Sequence, residues 1–132
     1  MNSPLNFSLE EFQKRITKTR KKMISTGLNT LIISDPSNMN WLTGYDGWSF
    51  YVHQAVILSL DGDPVWWGRG MDANGAKRTV FMESKNIHGY EDTYVQNPEK
   101  HPMLDLAKLI KDLHLNEGNI GVEMDNYWFS AS

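Results

Sequence analysis

The sequence predicts an α/β domain built on a mixed sheet. Segments with helical apolar spacing alternate with short β-rich runs along the chain. One pair of those runs is joined by Asp61-Gly62, a tight hairpin signal, so at least that pair is antiparallel. The length of 132 residues, with 40% hydrophobic and 22% charged residues, suffices for one domain with an ordinary core.

The elements follow in order. Ser8 to Thr26 reads as a helix: Ser8 is a good N-cap and Glu11 stands three residues on, as in a capping box. Leu9, Phe12, Ile16 and Met23 form its apolar stripe, and Gly27 stops it. Six cations (Lys14, Arg15, Lys18, Arg20, Lys21, Lys22) occupy its middle and end, where the helix dipole favours them. The plain account of that run is a solvated face. Leu28–Ser34 is a buried strand, broken by Asp35-Pro36-Ser37-Asn38. Ser37–Leu42 forms a short helix ending at Gly44. Phe50–Leu60 is the longest strand, with Ala55-Val56-Ile57-Leu58 as its apolar centre, and Asp63–Trp67 returns beside it. Met71–Met82 is a helix, Asn86–Tyr90 a strand, Pro102–His114 a helix with Met103, Leu106, Ile110 and Leu113 on one face, and Asn119–Met124 a last strand.

Composition excludes several classes of function. Thirteen basic and sixteen acidic residues leave a net charge of −3, so no bulk attraction to nucleic acid or an anionic membrane is expected. With no cysteine there is no disulfide, thiolate metal site or cysteine nucleophile. No apolar run reaches the roughly 20 residues that cross a bilayer. Met1–Glu11 lacks the apolar centre of a signal peptide, so the sequon Asn6-Phe7-Ser8 carries no weight and a cytoplasmic location is expected. Three adjacent aromatics, Tyr127-Trp128-Phe129, stand near the last residue, where polar, frayed sequence is the norm. The expectation is a chain cut at the start of a further element.

Candidate chemistry is sparse. His53, His88, His101 and His114 are spread singly, without metal-ligand spacing. There is no Gly-x-Ser-x-Gly elbow. The stretch Gly68-Arg69-Gly70-Met71-Asp72-Ala73 fits a relaxed dinucleotide fingerprint, with Glu91 and Asp92 about 20 residues on. However, it follows the return strand of a hairpin, not the first strand of a βαβ unit, and it fails the Walker A pattern. A tight turn with glycines at unusual backbone angles is the better expectation. The strongest signal is aromatic: Trp41, Tyr45, Trp48, Phe50 and Tyr51 fall within eleven residues. Such rings could form a wall for a delocalised cation, with Arg69 forking onto a carboxylate. Equally, they could fill the local core or pack on a partner domain.

Ser37-Asn38-Met39-Asn40-Trp41-Leu42-Thr43-Gly44-Tyr45 resembles the N-x-x-Y-L-T-G signature of the creatinase/prolidase N-terminal domain. Ile120-Gly121-Val122-Glu123-Met124-Asp125 is similar to the I-G-V-E-x-D strand that closes that domain. The resemblance spans nearly the whole chain. It implies a three-layer mixed sheet flanked by helices, with a ribonuclease H-like motif. Asp46–Gln54 and Gly68–Ala76 look most like the ectoine hydrolases, with creatinase as a near relative. The resemblance implies a non-catalytic domain whose catalytic C-terminal pita-bread partner, with any divalent metal, lies outside these 132 residues. It further implies a homodimer in which this domain reaches over the other subunit's active site. Phe50 matches an aromatic that holds substrate in creatinase; Val52 stands where the accompanying arginine would be, and Arg69 is offered as its substitute on chemistry alone.

The expected cap is therefore Trp48, Phe50, His53 and Arg69, suited to a small zwitterion such as ectoine, with no catalytic or metal-ligating residue in this chain. Alternatives are the N-terminal domain of a Xaa-Pro dipeptidase or aminopeptidase, and a stand-alone protein-binding module.

Overall fold

A computed structural model of the chain describes residues 8–47, 53–91, 93, 99 and 101–123. The elements are α1 (Leu9–Ser25), β1 (Thr30–Ile33), α2 (Pro36–Thr43), β2 (Ala55–Ser59), β3 (Val65–Arg69), α3 (Gly70–Thr79), β4 (Ile87–Tyr90), α4 (Pro102–Asp112) and β5 (Ile120–Val122). A single turn of 3₁₀ helix, Ser84–Asn86, leads into β4. The five strands form one mixed sheet in the order β4-β3-β2-β1-β5. β2 lies antiparallel to both β1 and β3, whereas β4 and β5 join the two edges in parallel.

Strand alternation divides the core into two layers. Ile33, Val56, Leu58 and Trp66 face α1, α2 and α3, where they meet Ile16, Met23, Met39, Leu42 and Ala76. Ile32, Ala55, Ile57, Trp67 and Tyr90 face α4 and meet Leu106 and Ile110. The expected three-layer α/β sandwich is the observed one. Trp66 and Trp67 are both fully buried, one in each layer. An indole of this kind removes on the order of 200 Å² from water, so truncating either to Ala costs about 3–5 kcal/mol.

Several expected boundaries contract. α1 begins as foreseen, with the Ser8 side chain accepting from the Glu11 N–H at 3.2 Å, while the Glu11 carboxylate is engaged by Arg15 Nε at 3.1 Å. Leu9, assigned to the buried stripe, is exposed: it shares the side of Phe12, Ile16 and Met23 but sits in the first turn, beyond the end of the core. The strand foreseen from Phe50 begins at Ala55: His53 and Gln54 are not in strand, and residues 48–52 lie outside the described residues. α3 stops at Thr79, not Met82, since Val80 turns extended and buries its side chain.

The two stretches that carry the family resemblance meet in space. Glu123, just past β5, accepts from the backbone N–H of Ser34 at 2.9 Å and of Asp35 at 3.0 Å through Oε1. Its Oε2 accepts from Asn38 Nδ2 at 2.6 Å. One carboxylate thus ties the closing strand to the loop that launches α2. The rest of the signature closes α2: Thr43 Oγ1 donates to Met39 O and accepts from Tyr45 N–H. Gly44 adopts φ 87°, and a Cβ there would lie 2.8 Å from the Thr79 carbonyl oxygen.

Glu123→Ala strands two backbone N–H groups and an amide, so unfolding free energy should drop by about 2–4 kcal/mol in denaturant titration, with Glu123→Gln recovering part. A change under about 0.5 kcal/mol would show that solvent replaces the carboxylate. Gly44→Ala should cost about 1–3 kcal/mol through its left-handed backbone and the carbonyl contact, measured the same way.

Candidate functional site

Two of the four expected cap residues, His53 and Arg69, are described; Trp48 and Phe50, with Tyr51 and Val52, lie outside the described residues. The β2–β3 register pairs Ala55 with Trp67. His53 lies just before β2, at the end of the sheet where β3 reaches Arg69, and a Cβ built on Gly68 would stand 3.3 Å from Gln54 Cβ. β4 extends the row, since Arg69 pairs with Tyr90. The Tyr90 hydroxyl donates to the His53 carbonyl at 2.8 Å. Sheet alternation puts Arg69 and Tyr90 on the α4 side with Trp67, at one end of the strands, and the His53 ring reaches the same side, where it meets the start of α4.

The N-terminus of α4 completes this corner. His101 is its N-cap, with Nδ1 accepting from the Met103 N–H at 3.1 Å. Its ring meets His53 edge-on, centroids 4.9 Å apart. Below them Trp67 packs on Tyr90 at 4.9 Å, and its indole N–H donates to Asp105 Oδ2 at 2.9 Å. Burial, followed by the nearby charge of His101, holds the His53 imidazole below its ordinary range. The corner therefore gathers two imidazoles beside the strand end that carries Arg69. Among the described residues, no group of three or more His, Cys, Asp or Glu is placed to hold a metal ion.

The aromatic cluster divides. Tyr45 is a core residue: its hydroxyl donates to buried Gln54 Oε1 at 2.6 Å and its ring tilts against Trp66 at 5.4 Å. Burial first, then the Asp72 charge, pushes the Tyr45 phenol far above its usual value. Trp41, by contrast, is on the surface.

The Gly-rich stretch is not the turn the sequence led us to expect. Gly68 and Gly70 have ordinary negative φ, unlike Gly27, Gly44, Gly62 and Gly118. Their small size serves contact instead: a Cβ on Gly68 would strike the Trp66 ring at 2.6 Å, and one on Gly89 would strike Gly70 Cα at 2.7 Å. The pair lets α3 start directly at the end of β3 and rest on β4, which accounts for the glycines without a phosphate.

The corner's other members were not legible locally. His53 and His101 are 48 residues apart, and a His directly ahead of Pro102 at a helix start is the one local signal that could have marked His101 as an N-cap.

Comparison with known proteins follows this geometry. Residues 15–131 match the family profile of the creatinase/prolidase N-terminal domain. The chain is 59% identical over 128 residues to the ectoine hydrolase of Halomonas elongata, covering 96% of this chain and 32% of that protein. It is 36% identical to an uncharacterised hydrolase/peptidase of Sinorhizobium fredii, covering 96% of this chain and 33% of that one. The chain thus spans about a third of the length of the curated relatives it matches. Among solved structures, a proline dipeptidase from Streptococcus pneumoniae superposes with a TM-score of 0.66 at 20% identity, covering 85% of this chain and 75% of that one. A dipeptidase from Pyrococcus horikoshii gives 0.64 at 17% identity, covering 86% and 29%. Identities this low establish the shared fold alone. No described helix is long and apolar enough to cross a membrane.

The folded state keeps His53 below its ordinary value near 6.5, so on acidification the unfolded chain takes up that proton first. The contribution of His53 to stability is complete above that value and declines as pH falls through it. Unfolding midpoints should drop between about pH 7.5 and 5.5, and His53→Gln should flatten that slope. Equal slopes in both proteins would assign the effect to other groups.

Proposed function

The chain belongs to the creatinase/prolidase N-terminal domain family, and from that premise we propose that it is the non-catalytic N-terminal domain of an ectoine hydrolase. The observation that carries this reading is the 59% identity, over 96% of the chain, to the Halomonas elongata enzyme. In the whole protein the domain is joined to a C-terminal domain that opens the C–N bond of the cyclic amidine. That second domain supplies the acid–base groups and any divalent metal the hydrolysis needs.

The role of the present chain is to contribute dimer contacts and to cap the partner subunit's active site. Its cap residues are Trp48, Phe50, His53 and Arg69. Ectoine carries a delocalised cation and a carboxylate. Aromatic rings suit the first; the Arg69 guanidinium suits the second. The protein works in the cytoplasm, in keeping with a cysteine-free chain.

Kinetics on the whole protein test the reading. His53→Ala and Arg69→Ala should each raise KM for ectoine about tenfold, with the domain still folded by circular dichroism. Unchanged kinetics would remove the cap. Cleavage of Xaa-Pro dipeptides in place of ectoine would move the parent to the peptidases. The purified 132-residue chain, supplied with Zn²⁺ or Mn²⁺, should turn over neither substrate; activity there would overturn the division of labour.

A further inference from the structure

The exposed side of α1 has an order that a merely solvated face does not need. Six of the chain's thirteen Lys and Arg lie on this helix with only two of its sixteen carboxylates, Glu10 and Glu11. The remainder, seven cations against fourteen carboxylates, is acidic. The domain is thus electrically polarised, with its positive pole on one helix.

The six cations do different things. Arg20 turns inward and donates to the Ser59 and Gly62 carbonyls, bracing the β2–β3 hairpin. Arg15 donates to the Trp41 carbonyl at 2.7 Å and lies over the Trp41 ring at 5.2 Å and the Phe12 ring at 5.6 Å. It fixes Trp41, which is 41% exposed, beside the helix. The four lysines, Lys14, Lys18, Lys21 and Lys22, stay exposed. Two adjoining surface grooves meet at Lys18, Lys21 and Trp41. The result is an indole anchor, held in place before any encounter, with Glu10 and Glu11 at the N-terminal end of the groove and a row of ammonium groups along the rest of its rim. Trp and Arg at a centre with mobile charge around them is the composition of a docking surface.

We infer that this groove docks an acidic amphipathic helix of another protein. Lys14, Lys18 and Lys21 recur at the i, i+4, i+7 spacing of one helix face, so carboxylates at the same spacing on a helix laid alongside meet them in turn. An apolar side chain of that helix covers the open part of Trp41. Among the described residues a second copy of this chain offers no such helix: α3 and α4 mix Asp72, Asp105 and Asp112 with Lys77, Arg78, Lys108 and Lys111. Nucleic acid fits the lysines, but the acidic remainder of the domain repels a polyanion longer than the groove.

The probe is a fluorescein-labelled helical peptide with Glu at i, i+4 and i+7 and one Leu between them, followed by anisotropy at ~0.05 M salt. Binding should weaken as salt rises. It should fall about tenfold or more in Lys18→Glu/Lys21→Glu, fall in Trp41→Ala, and stay unchanged in the control Lys77→Glu, which lies off this surface. Circular dichroism of each variant separates loss of docking from loss of fold. Absence of binding, or equal binding by the charge-reversed variant, overturns the inference. So does tighter binding of a dT oligonucleotide at the same salt. Sedimentation velocity supplies the remaining arm: a dimer that dissociates in the charge-reversed variant would make the face a self-interface and overturn it too.

Discussion

The constraint on which the fold depends is the placement of one carboxylate. β5 is a three-residue edge strand held on one side only, and α2 is an eight-residue helix that must start in a fixed direction. Glu123 serves both. Its two oxygens reach the loop N–H groups of Ser34 and Asp35 and the amide of Asn38, so strand, loop and helix are fixed by one side chain. Downstream, α2 carries Met39 and Leu42 into the core and ends at the left-handed Gly44, beneath which Phe12 of α1 and the Thr79 carbonyl close in. The layer of three helices is thereby keyed to the end of the last strand. The motifs by which the family is known are in this respect architectural: Asn38 and Glu123 are hydrogen-bond partners, not a catalytic pair.

A division of labour follows between the two faces of the sheet. The face covered by α1, α2 and α3 is packed with aliphatic and thioether side chains around Trp66 and Tyr45 and holds the domain together. Among the described residues the opposite face carries one helix, α4, at whose N-terminal end stand His53, Arg69, Tyr90 and His101. Polar groups collect where a helix starts over the ends of strands, because neither element can satisfy them there alone. His101 caps α4 and meets His53, so one imidazole links helix capping to the candidate cap residues.

Much of the fold could be read from residues in order. α1 and α4 announce themselves through periodic apolar positions, β2 through Ala55–Leu58, and the hairpin through Asp61-Gly62, where Gly62 takes φ 78°. Leu9 shows the limit of such patterning: a helical period says which residues share a side, not how far along the helix the core extends. Gly68 and Gly70 show another, since a glycine required for contact looks in sequence like a glycine required for a turn. The candidate site was legible only in part. His53 and Arg69 stand at the same end of a hairpin, at the start of β2 and the finish of β3, which a sequence hints at. His101 arrives from 48 residues away and Glu123 reaches back 85 residues to Asn38, and no local pattern encodes such separations.

The consecutive indoles of β3 have a consequence for how this domain can vary. Trp66 and Trp67 point to opposite sides of the sheet, so one inserted residue within the strand would invert both, placing each bulky ring against helices shaped for the other. Length changes in the neighbouring turn, where Leu60 to Asp63 are exposed or nearly so, can instead loop out into solvent. Evolutionary drift in chain length is thus channelled toward the hairpin tip and away from the strand. The strand serves as a ruler against which both halves of the interior are measured.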